Sequence, residues 1–232
     1  MKAYSVIIPA AGQGKRMKAG MNKQFLKLRD EPIIVHTVRF FENDQACKQV
    51  IIVANEDECM MMQDVMNKYG LKKVAAVIKG GKERQQSVRN GINYLDEEQI
   101  VLIHDGARPF VSKGMIDRIV TKAEETGAVT AAVRVTDTIK RVSSGKIIDT
   151  LKRDELWSIQ TPQAFSLSLL KEAHEKAEKA GLIGTDDASL VEWLGHDVSI
   201  ADGDYTNIKL TTPGDLLFAE AIMQERERNK HD

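Results

Sequence analysis

Five short runs, YSVIIPA (4–10), QVIIVAN (49–55), KKVAAVIK (72–79), IVLIHD (100–105) and AVTAAVRV (128–135), are rich in β-branched residues and apolar at consecutive rather than alternate positions. A strand carries apolar side chains on both faces only where both are covered. The intervening stretches EDECMMMQDVMNKYG (56–70), ERQQSVRNGINYL (83–95) and SKGMIDRIVTKAEETG (112–127) have helical spacing. The alternation predicts an α/β fold, with a mostly parallel sheet covered by helices on both faces and a ligand at the carboxyl ends of the strands.

After Arg134 the alternation lapses. In TDTIKRVSSGKIIDTLKRDELW (136–157) polar and apolar residues alternate around Ser143-Ser144-Gly145, which predicts a β-hairpin arm at about 136–157. A two-stranded arm is marginal alone in water, so a second copy of the chain is its expected partner. Helical patterns return at SLSLLKEAHEKAEKAG (166–181), TDDASLVEWLG (185–195) and, opened by Pro213, PGDLLFAEAIMQERERNK (213–230), with a strand DVSIAD (197–202) between. No repeat or linker interrupts the chain, so one domain over 1–232 is expected.

With 232 residues and 42% hydrophobic content the chain can bury a substantial core. A net charge of −1 and 5% aromatic residues argue against nucleic acid or an acidic membrane as partner. Cys47 and Cys59 lack metal-ligand spacing and suit a reducing compartment, and the N-terminal apolar run is too short for a signal or a membrane span, so a cytoplasmic location is expected.

VIIPAAGQGKRM (6–17) ends a strand in small residues and then presents two bases. It matches neither the P-loop, since Arg16 stands where Ser or Thr is needed, nor the dinucleotide fingerprint, whose third glycine is Met17. Ala10, Ala11 and Gly12 still let a ligand approach the backbone, Gly14 permits a turn that suits phosphates, and Arg16 and Lys23 add charge. In HDGARP (104–109), Asp105 and Arg108 fall at the same strand edge, and Asp105 is the best candidate magnesium ligand. His104 has no second His at metal spacing and is assigned no chemistry. GGKERQQSV (80–88) repeats the order of strand, glycine pair and helix, with Ser87 placed to hydrogen-bond a base. Lys209, in TNIKLTTPGDL (206–216), lies in a strand-like stretch before a helix.

Together PAAGQGKRM, NKQF, GGKERQQSV, HDGARPF, DTIKRV, LWSIQTPQAF, GTDDASLVE and NIKLTTPGDL, in this order across nearly the whole chain, closely resemble the 2-C-methyl-D-erythritol 4-phosphate cytidylyltransferase family, among the nucleotidyltransferases of Rossmann-like fold. The resemblance implies CTP and 2-C-methyl-D-erythritol 4-phosphate as substrates, magnesium dependence, and a homodimer joined through the arms. It implies that Ala10, Ala11, Gly12 and Gly14 line the CTP site, that Arg16 and Lys23 contact its phosphates, and that Gly81, Lys82 and Ser87 flank the cytosine. Asp105 would hold magnesium and, with Arg108, Thr138 and Thr185, meet the acceptor, and Arg153 and Lys209 would grip its phosphate, Arg153 reaching into the neighbouring subunit. Thr161 stands in a matching motif. Position 82 is Lys where related sequences often carry Asp, and position 106 is Gly where Ala is common, a size reduction expected to be tolerated. Where many nucleotidyltransferases supply a second carboxylate, NIKL offers Asn207 and Lys209, leaving Asp105 as the protein's ligand.

A phosphate monoester is largely dianionic at neutral pH, so such a reaction needs no dedicated general base; its obstacle is the meeting of two polyanions, which Arg16, Lys23, Arg153, Lys209 and the metal are expected to answer as the catalytic charges. The alternatives are a ribitol-5-phosphate cytidylyltransferase, with the same donor and a longer acceptor, and a nucleotide-binding regulatory module without catalysis.

Overall fold

The computed structural model describes residues 3–12 and 22–228. In chain order the strands are β1 (Tyr4–Pro9), β2 (Lys27–Leu28), β3 (Glu31–Pro32), β4 (Cys47–Ala54), β5 (Val74–Lys79), β6 (Ile100–Ile103), β7 (Ala128–Arg134), β8 (Lys140–Ser143), β9 (Lys146–Thr150), β10 (Trp157–Ser166) and β11 (Ser199–Asp202). The helices are α1 (Ile33–Asn43), α2 (Cys59–Lys68), α3 (Arg84–Ile92), α4 (Lys113–Thr126), α5 (Leu167–Lys179), α6 (Asp187–Trp193) and α7 (Pro213–Arg228). Seven strands form one sheet in the order β11-β7-β10-β6-β1-β4-β5; β10 is antiparallel to both neighbours and every other pairing is parallel.

The consecutive apolar residues of the strands are divided between two cores. Val6 and Ile8 of β1, Val50 and Ile52 of β4 and Leu102 of β6 face one core with Val35 and Val38 of α1, Met62 and Met66 of α2, and Ile116 and Ile119 of α4. Their neighbours Ile7, Ile51, Val53, Val101 and Ile103 face the other, with Val88 of α3, Leu170 of α5 and Val191 of α6. This is the two-sided burial that an unbroken apolar strand requires. A third cluster, Leu28, Ile33, Phe110, Leu210 and Ala219, seats α7 beside the β2–β3 hairpin. From β1 the chain winds outward through β4 to β5 and then returns across β1 to β6, so the loops after β1 and β6 part at a topological switch point, where open α/β sheets bind ligands.

Two elements, α1 and β10, are not assigned by the sequence reading, and a third differs from it. In α1 the β-branched and aromatic stretch IIVHTVRFF is helical; its apolar face is buried, and packing overrides propensity. The second is β10, which contains Pro162 and the polar Gln160, Thr161 and Gln163 in mid-sheet. Pro162 falls where the register with β7 shifts between Ile159 and Gln163, a position that asks nothing of the missing N–H. The third is the stretch around Lys209, which joins no strand and is tethered instead by the Leu210 N–H to the Ala107 carbonyl at 2.9 Å.

The arm is the β8–β9 hairpin, turned at Ser144 and Gly145, both of positive φ (48° and 76°), as a two-residue hairpin turn demands. Val142, Ile147 and Ile148 on it are 56%, 64% and 59% exposed, far more than apolar side chains need be in a finished interior.

Candidate active site

The end of β1 forms one wall of a cleft. The Ala10 N–H continues the sheet to the Val53 carbonyl (2.7 Å), so Ala11 and Gly12, not Ala10, face the opening. Asn22, buried where the described chain resumes, donates to the Ala10 carbonyl (3.1 Å) and to Glu58 Oε2 (2.7 Å), while its side-chain oxygen caps the turn Lys23–Phe25 by accepting from the Gln24 N–H. That turn presents Lys23 to the cleft, its Nζ 3.4 Å from the Leu210 carbonyl. Gly14 and Arg16 lie outside the described residues.

The opposite wall is the loop from β5 to α3. A Cβ on Gly80 would lie 2.8 Å from both Ala11 Cβ and Ser87 Oγ, so glycine is what lets the two walls approach. Ser87 Oγ donates to the Glu83 carbonyl and accepts from the Gly81 N–H, both at 3.1 Å. The Lys82 N–H is held by Gln86 Oε1 (2.8 Å) with its side chain exposed, so the loop uses residue 82 through backbone.

The floor is the turn after β6. His104 Nε2–H donates to the Arg108 carbonyl (3.0 Å), because a carbonyl can only accept; Nδ1 is then the acceptor for the Thr161 hydroxyl (3.2 Å), which itself accepts from the Asp105 N–H (2.9 Å). Burial pushes His104 down to about 4 and keeps this relay neutral. It fixes the backbone of Asp105, the structural role that its isolation in the sequence suggested. Gly106 packs closely: an added Cβ would sit 2.8 Å from Ile34 Cδ1 and 2.9 Å from Gln24 Oε1, so these side chains occupy the space that the smaller residue leaves.

Asp105 is ringed by cations. Lys209 Nζ lies 2.8 Å from Oδ2, Arg108 Nε 3.6 Å from the same oxygen, and Arg84 Nε 4.0 Å from Oδ1. Burial raises the Asp105 pKa, but Lys209, Arg84 and Arg108 outweigh it and hold the group at about 2, ionised at any working pH. Behind it Arg84 also pairs with the buried Asp187 (2.7 Å). Arg84, Asp105 and Lys209 form the shared wall of two clefts: the first lined by Ala11, Gly12, Lys23, Gly81, Lys82 and Ser87, the second by Arg108, Gln160, Thr161 and Thr185. Arg84 was not among the expected site residues; in ERQQSV it reads as a solvated first-turn base.

The profile of the 2-C-methyl-D-erythritol 4-phosphate cytidylyltransferase family matches residues 4–225. The chain belongs to this family. It is 55% identical to the 2-C-methyl-D-erythritol 4-phosphate cytidylyltransferase of Halalkalibacterium halodurans over 225 residues (97% of this chain, 99% of the relative) and 54% identical to that of Bacillus licheniformis over 228 residues (98% and 99%). Solved structures agree: 4-diphosphocytidyl-2C-methyl-D-erythritol synthase from Anaerococcus prevotii superposes with a TM-score of 0.83 at 30% identity (96% of this chain, 99% of that one), and the 2-C-methyl-D-erythritol 4-phosphate cytidylyltransferase from Thermus thermophilus with 0.78 at 30% (97% and 100%).

Of the residues that the cytidylyltransferase family resemblance marks, Ala11, Gly12, Lys23, Gly81, Lys82, Ser87, Asp105, Arg108, Thr161, Thr185 and Lys209 line the paired clefts. Thr138 and Arg153 do not. Both are exposed on the arm's base, Arg153 donating to the Thr136 carbonyl (3.1 Å). No group of three or more His, Cys, Asp or Glu residues that could hold a metal occurs among the described residues. One hard, ionised carboxylate beside a cation-lined cleft nevertheless fits magnesium, which takes few protein ligands and fills its shell with phosphate oxygens and water. Asn207 is fully buried and is not among the residues lining either cleft; its amide nitrogen donates inward to the Thr161 carbonyl (2.9 Å) and Gln160. No helix among the described residues is long and apolar enough to cross a membrane.

Proposed function

We infer that the chain transfers the cytidylyl group of CTP to 2-C-methyl-D-erythritol 4-phosphate, releasing pyrophosphate and forming 4-diphosphocytidyl-2-C-methyl-D-erythritol. The observation that carries this reading, beside family membership, is the shared wall of Arg84, Asp105 and Lys209 between two clefts, because a group-transfer enzyme must bring donor and acceptor to one point.

CTP occupies the cleft between Gly12 and the Gly80–Ser87 loop, with Lys23, and Arg16 from outside the described residues, on its phosphates. The Ser87 hydroxyl spends its proton on Glu83 and one lone pair on Gly81; its second lone pair suits the exocyclic amine of cytosine and not the carbonyl that uracil has there. The acceptor lies in the second cleft, by Arg108, Thr161 and Thr185. An oxygen of its phosphate attacks the α-phosphorus of CTP in line, the new P–O bond forming as the bond to the β-phosphate oxygen breaks and pyrophosphate departs. Lys209 and Arg84 offset the negative charge where the two substrates meet, and Lys23 does so on the leaving side. Asp105 is the residue that would hold magnesium, whose contribution when bound is charge neutralisation on the triphosphate.

The functional unit is a homodimer. Exposed Val142, Ile147 and Ile148 on the arm favour docking on a second copy, which would let Thr138 and Arg153, which line neither cleft of their own chain, serve the partner's acceptor site. A coupled pyrophosphate-release assay tests the reaction. CTP with 2-C-methyl-D-erythritol 4-phosphate should turn over and CTP with ribitol 5-phosphate should not; preference for ribitol 5-phosphate, or CTP binding without release, would establish one of the alternatives instead.

A further inference from the structure

Behind the shared wall lies a buried polar chain that the reaction does not itself use. His174 on α5 and Asp187, the first residue of α6, are each 1% exposed, and His174 Nε2–H donates to Asp187 Oδ1 at 3.1 Å; His174 Nδ1 has no partner. The other carboxylate oxygen of Asp187 forms an ion pair with Arg84 Nη1 at 2.7 Å, without hydrogen-bond alignment, while Arg84 Nε stands off Asp105 at 4.0 Å. Burial raises the Asp187 pKa, but Arg84 and His174 outweigh it and keep the group ionised. Arg84 thus belongs both to the wall of the two clefts and to an ion pair with a fixed anion beneath it.

Three helices meet here. Arg84 begins α3, Asp187 begins α6, and two residues on the Ser189 N–H is capped by Asp186 (3.0 Å), itself held by Gln163 of β10 (2.7 Å). The anion beneath Arg84 is therefore rigidly mounted. Two carboxylates compete for one guanidinium, and the closer, more buried one holds it. Released from Asp187, Arg84 would have Asp105 as its nearest carboxylate, and closing the 4.0 Å gap would draw the guanidinium off the substrates and load Asp105 with a second direct partner beside Lys209.

We propose that Asp187, steadied by His174, is a positioning residue for the reaction: it holds Arg84 away from Asp105, so that the guanidinium faces the junction of donor and acceptor clefts. Asp187 touches no substrate and acts only through Arg84. The proposal rests on the cytidylyl-transfer reading of the same site.

The test is a double-mutant cycle on the full-length protein, with CTP and 2-C-methyl-D-erythritol 4-phosphate in the pyrophosphate-release assay. Misplacing a group by about 1 Å typically costs about 100-fold, so D187N should lower kcat by roughly 30- to 100-fold with the KM for CTP within about threefold of the parent, since the nucleoside and Lys23 ends of that cleft are untouched. R84Q should cost at least as much, and R84Q with D187N no more than R84Q alone, because a residue that acts through Arg84 has nothing left to position once Arg84 is gone. H174Q should show a smaller loss, roughly three- to tenfold in kcat, that likewise disappears in the R84Q background, and it replaces D187N in the cycle if D187N does not fold by circular dichroism. A kcat for D187N within about threefold of the parent, or losses that multiply in the double variant, overturns the proposal. An unsubstituted protein that releases no pyrophosphate overturns instead the reading on which it rests.

Discussion

At the scale of residues, the adjacent His104 and Asp105 are both displaced from their ordinary titration, and the displacements make separate demands on acid stability. His104 is neutral in the fold to about pH 4, whereas the unfolded chain protonates it near its ordinary value of 6.5; the unfolded state binds more protons in that window, so stability is full above 6.5 and falls by about 3 kcal/mol as pH drops to 4. Asp105, depressed to about 2 from 3.8, contributes stability that is complete above 3.8 and is lost as pH falls to about 2, on the order of 2 kcal/mol. Urea unfolding of metal-free protein across pH 2 to 7 should therefore show two declines, with H104Q flattening the upper one alone. An unchanged upper decline in H104Q would mean that His104 is not the buried neutral link of the relay. Lys23 is a simpler case: it faces the cleft, so K23A should cost on the order of 100- to 1,000-fold in kcat with the fold retained, as steady-state kinetics and circular dichroism would show. Near-normal turnover would remove Lys23 from the machinery.

At the scale of elements, the site depends on how closely two loops approach. Gly80 touches Ala11, Ser87 and the Ala54 carbonyl, which lies 3.3 Å from where a Cβ would be, so G80A must push the β5–α3 loop away from the end of β1. Overpacking of this kind typically costs about 1–3 kcal/mol, and here part of it should appear as weaker CTP binding by titration calorimetry; unchanged affinity would mean that the glycine loop is not the base-side wall. The arm makes a different prediction. With Val142 and Ile147 cross-strand partners and both exposed, V142K/I147K should leave the single chain folded and shift sedimentation from dimer toward monomer with loss of turnover. A variant that stays dimeric would place the interface elsewhere.

At the scale of the whole molecule, the parallel part of the sheet was legible because β1, β4, β6 and β7 announce two-sided burial in their own residues; β5 carries a similar apolar run but is an edge strand with no fully buried residue. β10 was not, since Gln160, Thr161 and Gln163 are buried polar groups satisfied only across the fold: Gln163 donates to Thr130 Oγ1 (3.1 Å) and accepts from the Ala188 N–H (3.1 Å), partners more than twenty residues away. Strand-like α1 was hidden for the opposite reason, a β-branched composition overruled by the core it meets. In the site, Lys23, Asp105, Ser87 and Lys209 were readable from loop ends and motif, whereas Arg84 and Asp187 were not, because a first-turn Arg and a capping-box Asp look like ordinary helix starts until three helices bring them together. Even Lys209 owes its place to distant parts: the Leu210 tether to Ala107 and the packing of α7 turn its chain toward Asp105. Donor and acceptor must meet at the wall of Arg84, Asp105 and Lys209. A crystal soaked with CTP and magnesium tests this most directly. The triphosphate should lie along Lys23 with its α-phosphate beside Asp105 and Lys209 and the cytosine against the Gly80–Ser87 loop; CTP bound away from that wall, or with its α-phosphate out of reach of the second cleft, would contradict it.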